Sequence, residues 1–118
     1  MKRILVADDE EILRMLIVDT LEDLGYEIEE AENGEEALTK LQAENYDLVI
    51  LDYMMPGKTG MEVLQALSSD IKENTYIIML TAKAQDQDKQ RALSEGASYF
   101  VAKPFSPQEL ESLVGGIL

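Results

Sequence analysis

The run Leu48-Val49-Ile50-Leu51 contains no polar residue and is followed by Asp52 and the turn-forming stretch Tyr53-Met54-Met55-Pro56-Gly57. Four apolar residues bounded this way read as a strand buried on both faces, the kind found in a parallel sheet. Strands are predicted at residues 3–7, 27–31, 48–51, 76–80 and 98–102. Between them apolar residues recur at helical spacing: Leu13, Leu16, Ile17, Leu21 and Leu24, then Ala37, Leu38 and Leu41, then Met61, Leu64, Leu67 and Ile71, and finally Leu110, Leu113, Val114 and Ile117. Strand-helix alternation predicts an α/β fold with helices on both faces of a parallel sheet. Five strands in 118 residues predict one doubly wound, flavodoxin-like domain over residues 1–118, with strand order 2-1-3-4-5 and five helices.

Helix boundaries are signed by residue type. Ser106 as N-cap, Pro107 at N1 and Glu109 at N3 are expected to form a capping box, Asn33 and Glu36 repeat that logic, and Gly25 and Gly96 stand where helices stop. The helix expected over residues 84–95 is nearly all polar, with Ala92 and Leu93 as its main anchors, so it should be the least firmly held. The closing Gly115-Gly116-Ile117-Leu118 reads either as a fraying helix or as a domain boundary in a longer protein.

Composition narrows the chemistry. With no Cys and no His, thiolate or imidazole metal sites and histidine acid-base catalysis are excluded, and a metal must be held by oxygen, which favours a hard cation such as Mg²⁺. A net charge of -14 argues against nucleic-acid binding and against an anionic membrane surface. Lys2-Arg3 precede too short an apolar run to be a signal peptide, and no stretch is long enough to span a bilayer, so a cytoplasmic location is expected.

Three of the predicted strands end in charge. Asp8-Asp9 follow the first, Asp52 the third and Lys103 the fifth, while Thr81 follows the fourth. In a parallel sheet these ends share one edge, where open α/β folds bind ligands. Each has a plainer reading: Asp8 as N-cap of the first helix with Glu11 at N3, Asp52 and Lys103 as a structural ion pair, Thr81 as a cap for the next helix. Together they make chemical sense. Clustered carboxylates repel unless a divalent cation relieves them, a free carboxylate oxygen can attack phosphorus, and a lysine and a hydroxyl can hold phosphoryl oxygens.

The pair Asp8-Asp9, the segment Leu51-Asp52-Tyr53-Met54-Met55-Pro56-Gly57-Lys58-Thr59-Gly60, Leu80-Thr81-Ala82 and Lys103-Pro104-Phe105 resemble the receiver domain of two-component response regulators, across essentially the whole chain. The resemblance implies that Asp52 accepts a phosphoryl group from a histidine kinase phosphohistidine. Asp9 would bind Mg²⁺ directly and Asp8 through water, with Asp52 and the Met54 carbonyl completing the protein ligands. Thr81 and Lys103 would contact the phosphoryl group, Phe100 would be the aromatic switch residue moving with Thr81, and the Lys103-Pro104 bond would be cis. It further implies a sensor kinase or phosphotransfer protein as donor, a downstream effector domain or protein, and readout through the fourth helix, fifth strand and last helix. Such a domain promotes its own phosphorylation without turning over an outside substrate. A phosphorylation-dependent homodimer is compatible with it. Thr59 stands where the family often has Asp, and Met54 and Lys83 lie at variable positions beside the site.

Other readings fail on particular residues. Gly57-Lys58-Thr59 looks like the end of a P-loop, but Tyr53 to Pro56 cannot form its backbone cradle. An aspartyl-phosphate phosphatase would need an acid where Met54 stands, and a flavin phosphate would be repelled by Asp8-Asp9-Glu10-Glu11. Ser69 and Lys72 with Lys58-Thr59-Gly60 are in the wrong order for a penicillin-binding enzyme. The remaining alternative is a receiver-like interaction module that works without phosphorylation.

Overall fold

The structure, a computed structural model, describes residues 1–82 and 86–118. Five strands, β1 (Arg3–Ala7), β2 (Glu27–Ala31), β3 (Leu48–Asp52), β4 (Tyr76–Thr81) and β5 (Tyr99–Ala102), pair in parallel in the order β2-β1-β3-β4-β5. This is the expected order. Two strands run one residue past their apolar runs: Asp52 is the last residue of β3, paired with Leu80, and Thr81 is the last of β4, paired with Ala102. The Tyr53 N–H donating to the Leu80 carbonyl and the Lys103 N–H donating to the Thr81 carbonyl, both at 2.7 Å, carry the ladders that far.

Six helices occur among the described residues, α1 (Glu11–Glu22), α2 (Gly34–Ala43), α3 (Gly60–Ala66), α4 (Ser69–Asn74), α5 (Asp86–Ser94) and α6 (Pro107–Ile117). The five expected become six because Met61, Leu64, Leu67 and Ile71 do not belong to one helix. Leu67 is extended, and the Ser68 hydroxyl accepts the Ile71 N–H to start α4. A serine that bonds the backbone locally offers it an alternative to continuing the helix. The first two residues of the expected 84–95 helix, and Lys83, lie outside the described residues. In α5 Ala92 is buried, but Leu93 is 41% exposed and is not the anchor expected.

The two sheet faces form separate cores. Ile4, Val6, Leu48, Ile50, Ile78 and Leu80 pack against Ile17 and Leu21 of α1 and Leu110 and Val114 of α6. Leu5, Val49, Leu51, Ile77 and Met79 pack against residues of α2, α3 and α5, including Leu41, Leu64 and Ala92. Along α1 the apolar face differs from its periodicity: Leu16 is exposed and Arg14 is buried, and Leu24 falls beyond the helix end and is also exposed. Asn33 and Ser106 cap α2 and α6 as expected, each accepting the N–H three residues on, and Thr59 does the same for α3. Thr59 and Glu62 complete a full capping box. Gly25 and Gly96 have φ of +91° and +113°, the left-handed conformation of a helix stop.

The start of α3 is pressed against the end of β3. A methyl group at Gly60 would lie 2.3 Å from the Asp52 carbonyl oxygen, whereas one at Gly115 in α6 would meet nothing within 4 Å. Gly60→Ala should therefore lower stability by about 2 kcal/mol or more through overpacking. Gly115→Ala should instead add up to roughly 0.5 kcal/mol through helix propensity. Urea unfolding of both variants checks the pair, and an unchanged midpoint for Gly60→Ala would refute the close contact.

Candidate functional site

Because every strand is parallel, β1, β3, β4 and β5 end at one edge of the sheet, with β3 between β1 and β4. Asp8 follows β1, Asp52 ends β3, Thr81 ends β4 and Lys103 follows β5. Alternation across the sheet then sorts them by face. Asp8 and Asp52 continue the Ile4-Val6 and Leu48-Ile50 series on the α1 and α6 side, and Lys103 continues from Val101 on that side. Thr81 continues from Met79 on the opposite face, where Phe100 is registered beside Met79 and packs, partly buried, against the core under α2, α3 and α5.

The charged groups on the first side meet. Lys103 Nζ lies 3.2 Å from Asp52 Oδ1, 3.5 Å from Asp8 Oδ2 and 3.7 Å from Glu10 Oε1. Asp8 is wholly buried and Asp52 is 4% exposed. The other Asp8 oxygen accepts the Glu10 N–H at 2.8 Å. Asp8 is therefore not the N-cap of α1: that position is Glu10, without a side-chain cap, and the capping box expected with Glu11 does not form. Thr81 is the last residue of β4, and the segment between it and α5 that would show whether it caps that helix lies outside the described residues. Thr81 is 3% exposed. The Lys103-Pro104 bond is cis.

Burial pushes the Asp52 carboxyl up to about 6, helped by the charge of Asp8 and to a smaller extent Asp9, and opposed by Lys103. Burial also raises Asp8, against the Glu10 N–H and Lys103. For Lys103 burial acts downward, but the charges of Asp52 and Asp8 outweigh it and hold the ammonium above its ordinary value. One lysine thus faces more negative charge than it neutralises.

The carboxylate oxygens of Asp8, Glu10 and Asp52 lie within 4.8 Å of one another. An all-oxygen donor set with surplus negative charge fits a hard divalent cation. Glu10 is the member not singled out from sequence; its signal was its place in the acid run Asp8 to Glu11. Asp9 is exposed beside the buried pair, and Met54, two residues past β3, has an exposed side chain. A cleft of about 390 Å³ lined by Glu10, Leu13, Ala82, Lys103, Pro104 and Phe105 opens alongside. A larger cavity of about 650 Å³ lies at the other edge of the sheet, lined by Arg3, Glu44, Tyr46 and Asp47 among others. There Glu44 pairs with the Arg3 guanidinium and Asp47 accepts the Arg3 N–H, so those groups are already engaged.

A sequence model of the response regulator receiver domain matches residues 4–115. The chain is 44% identical to the transcriptional regulatory protein ResD of Bacillus subtilis, over 98% of this chain and 48% of ResD. It is 41% identical to the phosphate regulon transcriptional regulatory protein PhoB of Pseudomonas aeruginosa, over 99% of this chain and 52% of PhoB. The chain spans about half the length of the curated relatives it matches. Among solved structures, the chemotaxis response regulator CheY4 of Vibrio cholerae superposes with a TM-score of 0.92 at 36% identity, covering 100% of this chain and 99% of CheY4. The response regulator TrrA of Thermotoga maritima, solved in complex with Mg²⁺-BeF, gives a TM-score of 0.87 at 45% identity over 100% of both chains. With its fold, its clustered acids and lysine, and these relatives in agreement, the chain belongs to the response regulator receiver domain family.

Proposed function

We propose that Asp52 is the phosphoryl acceptor of this receiver domain and that Mg²⁺ is the cation its acids hold. The observation that carries the reading is a buried Asp52 carboxylate with Lys103 at 3.2 Å and the oxygens of Asp8 and Glu10 close by. An Asp52 oxygen attacks the phosphorus of a phosphohistidine in line with the leaving nitrogen. The O–P bond forms, the P–N bond breaks, and its electron pair returns to the imidazole. Lys103 and the Thr81 hydroxyl hold phosphoryl oxygens as charge builds on them. Asp8, Asp9, Asp52 and the Met54 carbonyl would hold Mg²⁺, with Glu10 in the same acid cluster. When bound, the cation supplies positive charge between carboxylates and phosphoryl oxygens that would otherwise repel.

The phosphate then draws Thr81 toward it, Phe100 follows on the same sheet face, and α5 is rebalanced. Among the described side chains of α5 only Ala92 is buried, which supports a helix that a small push can shift. Residues 1–118 act as one cytoplasmic receiver domain that phosphorylates itself from its donor and turns over no outside substrate. The donor is a sensor histidine kinase or phosphotransfer protein, and Ile12, Met15 and Leu16, exposed on α1 just after Glu10, offer it an apolar landing. An effector domain or protein reads α5, β5 and α6, and phosphorylation-dependent pairing of two copies would use the same face. Direct binding of nucleic acid or membrane is not part of the reading. A module independent of phosphorylation is not favoured.

Acetyl phosphate followed by intact mass should add one phosphate only with Mg²⁺ present, and none to Asp52→Ala. Equal uptake by Asp52→Ala would sink the assignment. A second expectation concerns pH. The Asp52 carboxyl sits at about 6 in the fold, against about 3.9 in an unfolded chain. A raised carboxyl stabilises the fold while protonated, so this contribution is full below about pH 3.9 and is lost as pH rises through 6. Without metal, Asp52→Asn should melt higher than wild type at pH 7.5, with the difference shrinking toward pH 5. Added Mg²⁺ should raise the melting temperature of wild type more than that of Asp52→Asn. A lower melting temperature for Asp52→Asn at pH 7.5 would contradict this charge balance.

A further inference from the structure

Arg14 is the only buried basic residue among the described residues. Its Nη1 donates to the Asp8 backbone carbonyl at 2.8 Å, and its Nε donates to Glu30 Oε1 at 2.9 Å. Nη2 lies 3.7 Å from Glu32 Oε1. Burying a guanidinium costs desolvation that a well-packed apolar side chain would avoid, so such a residue calls for a reason. The parallel ladder already joins β1 to β2, and the Asp8 N–H already donates to the Ala31 carbonyl at 3.1 Å. What the ladder does not hold is the other end of Asp8, the carbonyl of the peptide that leads into Asp9.

We propose that Arg14 is a positioning residue for the cation site, fixing the Asp8-Asp9 peptide so that Asp8, Asp9 and Glu10 leave the strand at set angles. The inference rests on reading the acid cluster as a divalent-cation site. With its N–H on β2 and its carbonyl on Arg14, Asp8 is held at both ends. Its side chain can then accept the Glu10 N–H with one oxygen and face Lys103 with the other. The planar fork of a guanidinium serves a carbonyl and a carboxylate together, which an ammonium cannot do with the same geometry. Glu30 and Glu32 balance the Arg14 charge where it sits, so its action on the site runs through geometry. Mutual repulsion among the acids would otherwise splay this turn, and a pre-set turn spares the cation that cost.

The test is a Mg²⁺ titration followed by backbone amide NMR on wild type, Arg14→Met, Arg14→Lys and Glu30→Gln, with metal-free thermal unfolding of each. Outer groups that orient metal ligands are worth about tenfold or more in affinity. Arg14→Met should therefore weaken Mg²⁺ binding about tenfold. Arg14→Lys should recover part of the loss, and Glu30→Gln, which keeps the bond to the Asp8 carbonyl, should bind as wild type does. A merely structural strap would lower the melting temperature without moving the affinity. Folded Arg14→Met with wild-type affinity would overturn the proposal; should that variant not fold, Arg14→Lys with wild-type affinity overturns it equally. Wild type that takes up no Mg²⁺ would instead overturn the reading of the site.

Discussion

The Lys103 ammonium, set between the carboxylates of Asp52 and Asp8, is the contact on which the rest of the site depends. Both acids are buried, and each alone would be expensive to keep ionised. The lysine makes the cluster tolerable without making it neutral, since Glu10 and Asp9 add charge at the rim. That surplus of negative charge suits the crevice to a hard divalent cation. A more complete internal pairing would have made a more stable domain and a less receptive one.

The sheet turns that local imbalance into something the domain can transmit. Asp52, Asp8 and Lys103 lie toward the α1 and α6 side, whereas Thr81 and Phe100 lie toward the α5 side. Thr81 is linked through its carbonyl to the Lys103 N–H, so the two sides share a backbone contact at the crevice. The central strands β1, β3 and β4 are deeply packed and have little room to move. Phe100 in β5 is only partly buried, and among the described side chains of α5 only Ala92 is buried.

Much of this was legible because the relevant patterns are short-ranged. The apolar runs located every strand within a residue, and their alternation with helical segments left few topologies to choose among. Asn33 and Ser106 announced helix starts because a side-chain oxygen serves the N–H three residues ahead, a purely local bond. Periodicity misled where tertiary packing intervened. Leu67 looked like a continuation of the third helix until Ser68 recapped the chain. Leu16 and Leu93 had the spacing of anchors but face water, because a helix face is buried only if something lies against it.

The sequence by itself determined that charged residues would gather at one edge, since parallel strands must end together and Asp8, Asp52 and Lys103 each close an apolar run. Its lack of Cys and His likewise determined that any metal would be held by oxygen. Only the tertiary structure decided which acids share the lysine. Asp8 and Asp9 are neighbours in sequence, yet one is sealed inside the sheet edge and the other lies in solvent, because adjacent residues on an extended chain point to opposite sides. It also decided that Glu10 belongs to the cluster and that Arg14 reaches the Asp8 carbonyl. Those contacts depend on how α1 leaves β1 and crosses toward β2, a geometry set by packing rather than by any local pattern of residues.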